Sequence, residues 1–196
     1  MVTRPRGEPA TATRIVDVAE RLVQTRGFNG FSSADIASEL GVRKASLHYH
    51  FPSKAELGRT LIVRYAERFV AALAEIDEAG LAPCAALEAY VALYRSVLEG
   101  DRMCLCGILA AEHQTLPEPM REPLTRFFDD NETWLAGVLD RGRADGTISF
   151  EGSAVDTARL ILSGLEGAML VARASADSSR FESTTRSLLA GITTAR

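Results

Sequence analysis

The sequence predicts an all-α protein, with a compact three-helix head near the N-terminus and a larger helical body, about nine helices in all. Three observations predict it. Apolar residues recur at three- and four-residue spacing along most of the 196 residues. Gly or Pro ends each periodic run where a helix would stop. Neither a βαβ alternation nor an internal repeat interrupts the pattern.

Taken in order, Ile15, Val18, Ala19, Leu22 and Val23 share one face of a helix over 11–26, and Gly27 stands at its left-handed cap. Ser32 and Ser33 offer N-caps to a short helix aligning Ile36, Ala37 and Leu40, which Gly41 ends. Residues 43–50 then have room for about two turns, anchored by Leu47 and closed by Phe51 and Pro52. Ser53 and Glu56 form a capping box for a long helix to about residue 79, before Gly80 and Pro83. The body continues through Leu87, Tyr90, Val91, Tyr94, Val97 and Leu98 to Gly100, then through a helix at about 103–114. A long helix follows LPEPMREP on the stripe Leu124, Phe127, Phe128, Trp134, Leu135, Val138 and Leu139, with Pro123 expected to kink its first turn or delay its start. Two closing helices are expected at about 153–174 and 179–193. The head is assigned to residues 11–71, with its helix-turn-helix at about 32–51, and the body to residues 72–196.

Composition narrows the function classes. At 46% hydrophobic residues without low-complexity runs, the chain is an ordinary globular one. Its apolar stretches all fall short of the ~18 residues of a membrane span, so no membrane partner is expected. The basic N-terminus has no apolar core behind it, which argues against a secretory signal. Cys84, Cys104 and Cys106 are too few for a disulfide framework and fit a reducing, cytoplasmic setting. Net charge is −4, but unevenly placed: residues 1–60 hold nine Lys/Arg against six Asp/Glu, the remainder 13 against 20. A basic head on an acidic body suits a two-part DNA binder.

The informative segment is SADIASELGVRKASLHYHFPSKAEL, residues 33–57. Two short helices joined by a Gly turn form the unit that presents its second helix to the DNA major groove. Ala37 is small at the crossing, Gly41 supplies the turn, and Val42 and Leu47 point to the core. Outward lie Arg43, Lys44, Ser46, His48, Tyr49 and His50, cations and donors suited to phosphates and base edges, with Ser33 at the start of the first helix. Lys54 adds charge at a capped helix start. The string HYHFPSKAEL resembles the end of the helix-turn-helix in the TetR family of regulators, and the similarity runs from about Thr11 to Tyr65. That resemblance implies the family's fold, a homodimer, a repressor role on palindromic double-stranded operator DNA, and DNA contacts at Lys44, Tyr49, His50 and Lys54. Arg43 and Ala45 depart from the Ser and Gly frequent there, which leaves the operator sequence open.

The body would hold a small-molecule inducer. By the same resemblance, Phe69, Tyr90, Tyr94, Cys104, Leu105, Ile108, Leu109, Phe127, Phe128 and Trp134 lie around its cavity, with Glu112 or His113 as polar handles. An aromatic stripe at helical spacing also reads as plain core. Gly164, Leu165, Gly167, Ala168, Leu188, Leu189 and Ile192 are assigned to the dimer contact of the last two helices. Glu166 reads as solvent-facing, with a ligand amine or a partner subunit as alternatives. A second functional reading makes Cys104 or Cys106 an electrophile- or redox-sensing thiol, favoured by the helix start and by Arg102. His113, Cys104, Cys106 and Glu112 splay around one helix, so no metal is expected, and no cofactor. The absence of P-loop, GxSxG, HExxH and paired-glycine nucleotide motifs argues against an enzyme.

Overall fold

The computed structural model describes residues 11–193, and among them the architecture is nine α-helices and one 3-10 turn. The sequence reading of the extreme N-terminus, residues 1–10, lies outside the described residues. No helix among those described is long and apolar enough to cross a membrane.

The head is built from α1 (Thr11–Arg26), α2 (Ser33–Leu40), α3 (Lys44–His50) and the start of α4 (Lys54–Glu78). Ser32 caps α2 reciprocally: Asp35 N–H donates to Ser32 Oγ at 3.4 Å and Ser32 N–H to Asp35 Oδ2 at 2.7 Å. Gly41 ends α2 in the left-handed region at φ 65°. Its N–H reaches Ser38 O at 3.2 Å and that of Val42 reaches Ala37 O at 3.0 Å, so the last carbonyls of α2 are satisfied within one tight turn. That turn fixes the angle of α3, whose Leu47 enters the core with Ile15, Leu22 and Ile36. Arg64 and Arg68 of α4 pair with Asp17 and Glu20, tying α4 to α1.

The body comprises α5 (Pro83–Glu99), α6 (Leu105–Ala111), the 3-10 turn His113–Thr115, α7 (Glu118–Ala144), α8 (Ala154–Ala174) and α9 (Ser179–Ala190). α7 packs chiefly on α8 and α4, and α8 on α9. Helix α4 runs unbroken through residues 71 and 72, so the assigned boundary falls inside it and one core joins head and body.

Three expectations about helix ends are corrected. α6 is shorter than 103–114, because Cys104 caps it, its Sγ accepting from Gly107 N–H at 3.4 Å, and the chain tightens into the 3-10 turn after Glu112. α7 is not delayed by Pro123 but starts at Glu118, with Pro117 and Pro119 at the entry where missing N–H groups are harmless. α9 stops at Ala190, and Thr193 instead pairs with Ile148 in an antiparallel bridge, where Ser149 N–H donates to Ile192 O at 2.8 Å.

Candidate DNA interface and effector body

On α3 and its N-cap, Arg43, Lys44, His48 and Tyr49 are exposed, Ser46 and His50 are half-buried, and Leu47 is buried. Ser33 is half-buried in the first turn of α2. α3 and its N-cap therefore present two cations, an imidazole and a phenol to the outside, on a helix short enough for a major groove. Tyr49 is 83% exposed, with only an edge contact to His50 at 5.2 Å. A large aromatic left so bare is available to stack on or donate to DNA.

Lys54 is placed differently from the expectation. Its ammonium turns inward, donating to Phe28 O and to Phe31 O, the latter at 2.6 Å, and it lies 4.5 and 4.3 Å from the centroids of their rings. Desolvation lowers its pKa despite the nearby charges of Glu112 and Asp35. Its geometry is that of a clamp on the turn between α1 and α2. Lys54→Ala is expected to lower stability by about 1–3 kcal/mol, since two carbonyls lose a charged donor. Lys44→Ala should leave the melting temperature unchanged while removing about one unit of salt slope from DNA binding. Thermal melts of both variants decide this, and an unaltered melt for Lys54→Ala would return Lys54 to the DNA surface.

The same turn is gripped from the body. Glu112, at the end of α6, accepts from Phe28 N–H at 2.9 Å and from Asn29 N–H and Nδ2 at 3.2 Å each. Gly27 makes this approach possible, with φ 79° and no Cβ, which would run into the Glu112 carboxylate. At the end of α1, Gln24 and Met103 exchange hydrogen bonds at 3.0 and 3.1 Å. Arg173, near the end of α8, donates to Gln24 O and Thr25 O at 2.9 Å each. Two body helices thus hold the base of the head by charged groups on backbone atoms. Glu112 thus anchors the head through these donors, and His113 is exposed on the 3-10 turn.

The expected aromatic region does assemble. Phe69 lies 6.0, 5.8 and 5.2 Å from the rings of Tyr90, Tyr94 and Phe127, Phe127 lies 5.4 Å from Phe128, and Trp134 stacks on Tyr90 at 5.4 Å. Tyr90 donates to Asn131 Oδ1 at 2.9 Å, and Asn131 Nδ2 to Phe127 O at 2.7 Å. Cys104, Leu105 and Leu109 are buried in the same core, and Ile108 is partly buried against it. Two clefts of about 480 and 380 Å³ follow the seam of α4 and α7 and share Val70 and Asp130, with Trp134 lining one and Phe127 the other. Burial pushes the Cys104 and Cys106 thiols well up, and the negative Glu166 pushes them further. The Gly107 N–H at the start of α6 opposes this only in small part, and Arg102 lies over Gly100. Among the described residues no three His, Cys, Asp or Glu side chains gather to hold a metal.

Comparison with known proteins decides the family. The family model "Bacterial regulatory proteins, tetR family" matches residues 15–59, and "Tetracyclin repressor-like, C-terminal domain" matches residues 83–188. The chain belongs to the TetR family. A solved TetR-family regulator from Agrobacterium tumefaciens is 35% identical, with a TM-score of 0.90 over 93% of this chain and 97% of that one. The regulator LmrA of Bacillus subtilis is 27% identical over 81% of this chain and 84% of its own length. The repressor NemR of Escherichia coli is 25% identical over 86% of each. This TetR-family chain is thus similar to transcriptional regulators over more than four-fifths of its length.

The expected dimer residues of this TetR-family protein divide. Leu165, Ala168 and Ile192 are buried in the core of the protomer itself. Gly164 lets Leu188 approach, as a Cβ there would meet Leu188 Cδ2 at 3.0 Å, so it too serves the α8–α9 contact, with Leu188 and Leu189 partly buried beside it. Only Gly167 opens outward, with nothing within 4 Å of its would-be Cβ. It shares the outer face of α8 with Leu160, Leu170 and Val171, which are 59%, 49% and 52% exposed. The sequence carried that signal. α8 is apolar nearly all round, which calls for cover on both sides. No comparable signal pointed to Gln24 or Arg173, whose partners lie far away in sequence.

Proposed function

We propose that the chain is a transcriptional repressor that binds a palindromic operator as a homodimer and is released by a small molecule entering the body. The observation that carries this reading is the grip of Glu112 and Arg173 on the base of the head, which couples α6 and α8 to the placement of α3. A ligand that favours a shifted α6 alters the angle of the recognition surface, and only its differential affinity for the two arrangements does so. Mobility shift and footprinting on the DNA upstream of its own gene test the reading. A symmetric footprint with half-site centres roughly 34 Å or a multiple apart is expected, weakening steeply with salt. A single non-palindromic contact region would overturn it.

The dimer part of the proposal rests on the outer face of α8. Four of the seven exposed large hydrophobics among the described residues, Val155, Leu160, Leu170 and Val171, stand on that helix. Their spacing around Gly167 allows two copies of α8 to approach closely across a two-fold axis. The double variant Leu160→Glu, Val171→Glu places charges on this face without touching the protomer core. Light scattering should then report a monomer where the wild type is a dimer, together with a loss of operator affinity of at least tenfold. A variant that remains dimeric would place the interface elsewhere.

The sensing-thiol reading finds no support in the surroundings of Cys104 and Cys106. Both are buried, both are held protonated, and Cys104 is engaged in capping α6.

A further inference from the structure

Glu166 is the group that neither the fold nor the DNA surface uses. It sits on α8, yet its carboxylate turns inward onto α6, filling the space above Gly107 that any side chain there would occupy. Both oxygens are buried and meet no N–H or O–H donor, the Cys104 thiol being the group within hydrogen-bonding reach. An ionised carboxylate in such a place loses its hydration without replacement, and proteins normally pair it or neutralise it.

The groups that feel its charge are the thiols of Cys104 and Cys106 on α6, the phenol of Tyr65 on α4, and those of Tyr90 and Tyr94 on α5. None is a cation, and each is driven further from ionisation by Glu166. The inward direction of the carboxylate also excludes a role across the dimer. Tyr65, one of these phenols, lies 5.7 Å from Phe127 and joins the ring cluster built on Phe69. Ring faces carry negative potential, which favours a cation and disfavours an anion.

We propose that Glu166 is the anchor of the effector site and that the effector is an organic cation, a protonated amine or amidine carried on an apolar or aromatic body. The proposal rests on the reading of the body as an effector domain and names the chemistry it selects. The cation supplies the charge and N–H donors that the carboxylate lacks. Desolvation holds the Glu166 pKa up at about 7, so the carboxylate is mostly protonated at pH 6 and mostly ionised at pH 8. Binding of a cation must strengthen across that interval. A neutral acceptor, which needs the protonated acid, must weaken.

Titration calorimetry on the full-length protein tests this with phenethylamine, benzamidine and hexylamine. Each is matched to a neutral isostere (2-phenylethanol, benzamide, hexanol) and to benzoate, 3-phenylpropionate or hexanoate as anions. At least one amine or amidine is expected to bind the wild type, about tenfold tighter at pH 8 than at pH 6, and tighter than its matched alcohol, amide or carboxylate. Glu166→Gln, checked for fold by circular dichroism, should lose at least tenfold in that affinity and all of its pH dependence. Binding of neutral or anionic compounds in preference to cations, cation binding independent of pH and of Glu166→Gln, or no cation binding at all would each overturn the proposal. If a neutral or anionic compound binds and releases the operator, the effector reading stands and the cation assignment fails. If no compound of any class releases the operator while cations bind through Glu166, the site stands and the effector reading fails.

Discussion

Glu166→Leu is expected to make the folded protein more stable, by a margin that grows with pH. The folded-state pKa of Glu166 is raised to about 7 from an ordinary 4.5. Between those values the folded chain holds a proton that the unfolded chain has released, so stability falls as pH rises through the interval. Below about 4.5 the contribution is fully present. Above about 7 it is lost, and the difference amounts to roughly 3 kcal/mol at 1.36 kcal/mol per pKa unit. The surrounding thiols and phenols are pushed to higher pH and do not titrate in the window. Leucine removes the titration and fills similar space. Urea unfolding of wild type and variant at fixed protein concentration should therefore differ little at pH 5 and by roughly 3 kcal/mol at pH 8. A gap that does not change with pH would show that Glu166 is solvated in solution. A residue that lowers stability where it stands is kept for another reason, and ligand recognition is such a reason.

The second large effect is expected at the joint between head and body. Glu112→Ala strips the acceptor from Phe28 N–H and from both donors of Asn29. The buried part of that set cannot recover its hydrogen bonds from water, and a loss of about 1–3 kcal/mol is expected. The functional effect should be larger. With the turn between α1 and α2 released, the recognition helix samples more orientations and operator affinity should fall at least tenfold, while any response to an effector disappears. Glu112→Gln keeps an acceptor and should fall between the two. Hydrogen exchange at Phe28 and Asn29 reads the joint directly. If both amides stay protected in Glu112→Ala, Lys54 and Arg173 hold the turn without it.

The head was legible in the sequence because its determinants are local. The capping serine of α2, the left-handed Gly41 and the inward Leu47 act within a few residues of one another, so spacing alone places α2, the turn and α3. Helix ends in the body were less legible. α6 stops early because Glu112 is drawn to Phe28 across 84 residues, and α9 stops early because Thr193 meets Ile148. No periodicity reports such partners. Lys54 shows the same limit: a lysine at a helix start carries one pattern whether its ammonium faces a phosphate or two carbonyls. Glu166 reads as solvent-facing in the sequence because a lone carboxylate on a helix is ordinarily exposed. Only the approach of α6 at Gly107 reveals that its carboxylate turns the other way.

Trp134 offers a built-in optical reporter. It is the sole tryptophan of the chain, and it sits on α7, its indole N–H donating to Asp77 Oδ2 of α4 at 2.8 Å and its ring stacked on Tyr90 of α5. Excitation at the red edge of the protein absorption band therefore selects one site, at the junction of three body helices. Emission from it registers any parting of α4 from α7, because the carboxylate at the indole nitrogen and the overlying phenol both set its colour and lifetime. The recognition helix carries no tryptophan, and its Tyr49 is not excited at the red edge. A spectral change on adding DNA alone would thus be light from the body reporting an event at the head.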